Sequence, residues 1–252
     1  MIHQTAIIDS TATIADNVEI GPYSIIGADT SIGEGTVVGP HVVIGSHTEI
    51  GKNNRFYQFS SIGEENQDKK YSGEPTKTII GDGNVFRECC TVHRGTVQDR
   101  GETRIGNNGW FMAYTHIAHD CFLGDNIIMS NNATLAGHVK VGDFVIMSGF
   151  AKIHQFCKIG DHAFVGMDCA ISKDIPPFVL VAENAPYGLN AEGLKRRGFP
   201  PETISALKKA YRLLYRKSLK MDEAIAEMSQ LEDDNVNHLI NFLESVERGI
   251  LR

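Results

Sequence analysis

The chain has 252 residues, 42% hydrophobic and 22% charged, with 24 basic and 31 acidic side chains for a net charge of −7. That length suffices for one large domain or two smaller ones, and the acidic balance argues against a general nucleic-acid binder. No apolar run approaches the ~18 residues of a membrane span, and the opening MIHQTAIIDS lacks the basic and apolar regions of a signal peptide. The cysteines (Cys89, Cys90, Cys121, Cys157 and Cys169) form no CxxC pair, which fits a reduced, cytoplasmic setting.

From residue 6 the chain reads in sixes: AIIDST, ATIADN, VEIGPY and onward to SSIGEE. The pattern lapses over 66–77, returns in phase from TIIGDG, lapses over 96–102, and runs from TRIGNN to CAISKD at 174. All 25 hexads carry a hydrophobic residue in third place, and 13 carry glycine in fourth place. Chance would give the first regularity on the order of 10⁻⁹ of the time. Short strands turning every six residues describe a hexapeptide parallel β-helix, with three hexads forming one 18-residue coil of triangular section. Third-place side chains should fill the interior as ladders, and the fourth-place glycines suggest a corner that needs positive φ. Periodicity does not set the handedness, because parallel crossovers are usually right-handed.

After Ile171 the pattern fails at Asp174-Ile-Pro-Pro-Phe. Apolar spacing then becomes helical, with Ile204, Leu207, Tyr211 and Leu214, then Ile225 and Met228, then Leu239 and Leu243. The expected organisation is a mainly β chain: a hexapeptide β-helix over 1–186 with loops at 66–77 and 96–102, then a small α-helical domain over 187–252.

Residues 18 apart stack on one face, so CTVHRG, THIAHD, ATLAGH and AKIHQF share a side with SSIGEE. His93, His116, His119, His138 and His154, half of the chain's ten histidines, fall there. Both lapses leave the prism at the corner that ends this face. Asp120 precedes His138 by 18 and should lie about 5 Å from it. His119, Gly137 and Gln155 form a parallel ladder, while Asn131, Gly149 and Met167 form another on a different face. Such a cluster admits solvated decoration, a zinc site or acid–base chemistry. In a strand His116 and His119 would point to opposite sides, so a metal site would have to recruit ligands across subunits. Under the acid–base reading, Asp120 or another acceptor fixes the tautomer of a histidine base. Cys121 reads as a small packed side chain.

The stretches YQFSSIGEENQDKKYSGEPT, TVHRGTVQ, HIAHDC, NNATLAGHV, IHQFC and NAEGLKRRGF occur in this order. With them the chain closely resembles the cytoplasmic UDP-N-acetylglucosamine O-acyltransferase family, which begins lipid A synthesis in Gram-negative bacteria. The resemblance implies a homotrimer of left-handed β-helices with sites between neighbouring subunits, and neither a metal nor a cofactor. It implies transfer of an (R)-3-hydroxyacyl group from acyl carrier protein to the 3-hydroxyl of the sugar, without a covalent acyl-enzyme. By motif, His119 is the general base, Asp120 its orienting partner and Gly137 N–H the oxyanion donor. Asp68 and Lys70 would contact sugar or nucleotide, and His116, His138, His154 and Gln155 would line the site. Asn190, Glu192, Arg196 and Arg197 would bind the nucleotide end. Met167 stands where some members have glycine at the far end of the acyl groove, which implies a shorter acyl chain than theirs.

Independently, nine basic residues between Lys195 and Lys220 face only Glu202 as an acid, a local field suited to an acidic partner such as acyl carrier protein. Competing readings are a related hexapeptide N-acyltransferase, a zinc carbonic anhydrase of β-helix type, or a structural trimer.

Overall fold

The computed structural model describes all 252 residues. Strands of mostly two residues form three sheets of nine, eight and ten strands, parallel except for the last strand, with every third strand in the same sheet as far as Ala170–Ile171. The register is the 18-residue one: Ile7 and Ile8 pair with Ile25 and Ile26, and His116 and Ile117 with Thr134 and Leu135. Third-place side chains are buried from Ile20 to Ile171, and first-place side chains are buried from Val18 to Cys169. The alternation of a strand explains both, because places one and three share its inner face. Four of the five cysteines (Cys90, Cys121, Cys157 and Cys169) hold small first places and are buried for that reason. A single core of 40 residues results. Each large aliphatic side chain in it contributes about 1.5–3 kcal/mol on burial.

The glycines serve a different purpose from the one expected. Of the 13 in fourth place, only Gly63 has positive φ; the left-handed residue is the sixth, as in Tyr23, His41, Phe59, Asp120 and His138. Fourth-place glycine answers crowding between coils instead. A Cβ on Gly21 would sit 2.8 Å from the Gly39 carbonyl carbon, closer than any real contact.

Three edges join the sheets: the first follows the nine-stranded sheet, the second the eight-stranded and the third the ten-stranded. Both excursions leave the first edge and rejoin the second sheet, at Lys77–Ile80 and Glu102–Ile105. Strand pairing also outlasts the hexad pattern. Val179–Ala182 pairs in parallel with Phe164–Val165, and Ala185–Leu189 closes the third sheet as its antiparallel last strand.

Helices α1 (Ala191–Arg196), α2 (Pro201–Tyr215), α3 (Met221–Met228) and α4 (Asp234–Glu244) enclose a second core of 13 residues. In α4, Asp233 caps the N-terminus by accepting from the Asn235 and Val236 N–H groups. His238 of α4 pairs with Asp161 on the second edge at 2.5 Å. The chain end returns to the last coil, where Leu251 N–H donates to Asp174 O at 2.8 Å.

Candidate active site

The first edge and its two loops enclose a cleft of about 790 Å³. His119 stands in fifth place of its hexad, where the chain has already turned out of the His116–Ile117 strand. Strand alternation therefore stops short of it, and His116 and His119 line the same cleft rather than opposite sides. Asp120 follows in sixth place with φ 59°, which swings its carboxylate back beside the ring. His119 Nδ1 lies 2.8 Å from Asp120 Oδ2. A carboxylate only accepts, so hydrogen bonding assigns the proton to Nδ1 and leaves Nε2 as the free lone pair.

The carboxylate is itself tightly held. Asp120 Oδ1 accepts from Thr96 N–H at 2.9 Å, and Oδ2 accepts from the Thr96 hydroxyl at 2.7 Å. Burial alone would push Asp120 up; the bonds from His119 and Thr96 outweigh it and hold the carboxyl below its ordinary value. Asp120 therefore stays ionised near neutral pH and can stabilise an imidazolium.

Gly137 lies directly over His119, since a Cβ there would come 2.7 Å from His119 Cε1. Its N–H donates to no other group of the chain and borders the cleft. His138 follows, stacked on Phe156 with ring centroids 4.4 Å apart and edge-on to His119 at 5.1 Å. The vertical neighbours inferred from the 18-residue spacing do meet, with His138 Nδ1 3.9 Å from Asp120 Oδ2. Deeper on the same face, His116 takes Thr91 Oγ1 at 2.8 Å. Burial, with His93 and His119 nearby, lowers the His116 pKa to about 4, so the ring is neutral near pH 7.

Asp68, Lys70 and Gln155 also line the cleft, whereas His154 is exposed at its rim with Nδ1 3.2 Å from Gln155 O. Residues of the helical segment do not join it. Asn190 is buried, caps α1 by accepting from Gly193 N–H, and donates to His162 O. Glu192 and Arg196 pair with each other at 3.2 Å. Arg197 donates to Phe144 O at 2.9 Å and sits over the Phe144 ring, on the second edge. Met167 is 75% exposed on the third edge. Sequence reasoning missed Thr96, Asp99, Gln67 and Phe156. Phe156 lies 18 residues after His138 and was open to the same arithmetic; the loop residues have no place in the period.

Contrary to the expectation that metal ligands would need a second subunit, His119, Asp120 and His138 of one chain bring ligand atoms within 4.8 Å of one another. Their hydrogen bonds form a histidine–carboxylate pair suited to proton transfer. His119 Nδ1 is bonded to Asp120, His138 Nδ1 is bonded to Asp99 at 2.9 Å, and Asp120 Oδ2 already accepts from Thr96. An ion drawing on Nδ1 of both rings and on Asp120 Oδ2 would have to displace those bonds.

A hexapeptide-repeat β-helix with a histidine–carboxylate pair beside a free backbone N–H has the two parts that acyl transfer needs, a base and a donor for an oxyanion. Comparison with known proteins narrows it. Residues 174–251 match the family model described as Udp N-acetylglucosamine O-acyltransferase, domain 2. A curated protein of Thiobacillus denitrificans named acyl-[acyl-carrier-protein]–UDP-N-acetylglucosamine O-acyltransferase is 54% identical, covering 100% of this chain and 99% of that one. The UDP-N-acetylglucosamine O-acyltransferase structure from Moraxella catarrhalis superposes with a TM-score of 0.98 at 48% identity, covering 100% and 99% of the two chains. The Francisella novicida UDP-N-acetylglucosamine acyltransferase gives 0.97 at 45% identity, covering 100% and 94%. The chain belongs to the UDP-N-acetylglucosamine O-acyltransferase family, and its β-helix is left-handed like theirs.

Proposed function

We propose that this chain transfers an (R)-3-hydroxyacyl group from acyl carrier protein to the 3-hydroxyl of the glucosamine ring of UDP-N-acetylglucosamine, the first step of lipid A synthesis. Family membership supports the substrates, and the observation that carries the chemistry is the Thr96–Asp120–His119 chain ending beside Gly137 N–H. His119 Nε2 takes the proton of the sugar hydroxyl, whose oxygen attacks the thioester carbonyl. The resulting oxyanion accepts from Gly137 N–H. The C–S bond then breaks, and the imidazolium returns its proton to the departing thiolate. Asp120 stabilises the transient imidazolium across a 2.8 Å bond. Direct attack needs no protein nucleophile, and burial pushes the neighbouring Cys121 thiol up to about 12, too inert to supply one.

The same reading makes the protein a homotrimer. His119 lies on the first edge, Arg197 packs on the second and Met167 on the third, so one copy cannot place base, nucleotide-end arginine and acyl-chain limit around one substrate. A neighbouring copy that sets its own edges against the first edge would do so. Asp68 and Lys70 then contact sugar or nucleotide, His116, His138, His154 and Gln155 line the site, and Asn190, Glu192, Arg196 and Arg197 serve the nucleotide end. Asn190 acts through the shape of α1, because its amide is already engaged. Of the nine basic residues from Lys195 to Lys220, all but Arg197 are exposed, which suits an acidic carrier protein. No helix is long and apolar enough to cross a membrane. A cytoplasmic setting belongs to the reading, in keeping with five free cysteines.

The test is turnover of UDP-N-acetylglucosamine with 3-hydroxyacyl carrier proteins of several chain lengths. Expected is one free carrier thiol per acylated sugar and, for Met167→Gly, a shift to longer chains. No turnover, or turnover that requires stoichiometric zinc, overturns the reading; an unchanged chain preference in Met167→Gly removes that residue's role as the limit.

A further inference from the structure

The 96–102 excursion carries two side chains into the site from one turn. Asp99 N–H and Gly101 N–H both donate to Thr96 O, at 3.3 and 3.0 Å. Thr96 is buried and grips Asp120. Asp99 Oδ2 lies 2.9 Å from His138 Nδ1, with 37% of its side chain exposed against 17% for the ring. The loop that fixes the partner of His119 thus also supplies a partner for His138.

Other contacts already confine the His138 ring. Phe156 stacks over it, nearly parallel at 10°, and His119 meets it edge-on at 89°. Those contacts set the plane of the ring but are indifferent to which nitrogen holds the proton. Only an acceptor at Nδ1 makes that choice. Asp120 Oδ2 is too distant at 3.9 Å for a hydrogen bond and already serves His119 and Thr96. Asp99 is the one carboxylate within bonding reach.

We infer that Asp99 is a positioning residue that makes His138 a second histidine–carboxylate pair beside His119–Asp120, holding Nε2 of His138 as an acceptor for a substrate hydroxyl. The inference rests on the acyl transfer proposed above. Asp99 touches no reacting atom. It acts by keeping the proton on Nδ1, so that Nε2 keeps its lone pair for a hydroxyl donor. Two hydroxyls qualify, one on the acceptor sugar and the 3-hydroxyl of the acyl chain.

The experiment compares Asp99→Ala and Asp99→Asn in the full chain. Long-range ¹⁵N–¹H spectra, with the His138 ring identified by its loss in His138→Gln, should show the Nδ1–H tautomer in the parent and a tautomer mixture in Asp99→Ala. Asp99→Ala should lower kcat/KM about three- to tenfold, the range of one net hydrogen bond. Asp99→Asn should recover most of this, because its amide oxygen still accepts from Nδ1–H. A rise confined to KM for UDP-N-acetylglucosamine assigns the hydroxyl to the sugar. Reduced preference for 3-hydroxyacyl over unsubstituted acyl donors assigns it to the acyl chain. An unaltered His138 tautomer in Asp99→Ala overturns the inference, as does Asp99→Asn behaving like Asp99→Ala. A parent protein without acyl transfer would sink the proposed function alone, since the spectra still decide whether the pair exists.

Discussion

The first and second edges are built from the same six-residue turn and do opposite things with it. On the second edge the fourth and fifth places read Gly-Asp or Gly-Asn in five successive coils: 81–82, 106–107, 124–125, 142–143 and 160–161. Each fifth-place side chain accepts the fifth-place N–H of the coil before it. Asp82 takes Lys52 N–H at 2.6 Å, Asn107 takes Asp82 at 2.8 Å, and Asp125 takes Asn107 at 2.7 Å. Asp143 and Asp161 continue the ladder. The glycines are its counterpart, because a Cβ on Gly106, Gly124 or Gly142 would strike the next Oδ1. On the first edge the fourth places are His93, Ala118, Ala136 and His154, and the fifth places include His119, Gly137 and Gln155. No side-chain ladder closes the Gly137 N–H, and the buried Asp120 carboxylate is turned toward a loop. A turn whose polar groups satisfy one another makes an inert edge, and one that leaves them open makes a site.

Mutations should separate the two edges, and the largest effect belongs to the first. His119→Ala should lower turnover about 10²–10⁴-fold with the fold intact; near-parent turnover with an unchanged melting profile would remove it as the base. Gly137→Ala puts a methyl group 2.7 Å from His119 Cε1 and must displace the ring. A displacement of roughly 1 Å costs about a hundredfold in turnover, so steady-state kinetics within a few-fold of the parent would show that this ring position does not matter. Asp125→Ala opens one rung of the second ladder, at a cost of about 1 kcal/mol and a melting point a few degrees lower. Its turnover should not change, and a loss would contradict an inert edge.

The remaining effect is one of pH. Burial, reinforced by Arg197, lowers the His162 pKa to about 4, and burial lowers His116 to about 4 in the first sheet. Both lie below the unfolded value of about 6.5, so the native state resists protonation. Their contribution is complete above that value and is lost as pH falls toward 4. Calorimetry should show stability declining across this window. His162→Phe, which suits the stack between Phe144 and Phe178, should flatten the decline without altering turnover.

The period placed His119, Asp120, Gly137, His138 and Gln155 together without coordinates, because a coil of fixed length turns sequence distance into height along the prism. It could not reach Thr96 and Asp99, since an excursion has no rung and its path depends on what it packs against. It also misread glycine. A composition of Gly in fourth place is equally consistent with positive φ and with close approach, and only the spacing between coils distinguishes them.

By itself the sequence determined the three-sided helix, the inward places and the face on which histidines gather, because all three follow from a repeat that every coil must obey. The tertiary structure decided which way each loop folds back, that Thr96 binds Asp120 and Asp99 binds His138, and that Asn190 is spent on capping a helix. Those choices rest on single contacts between parts of the chain that share no period. They are settled by which buried polar group finds its partner in three dimensions.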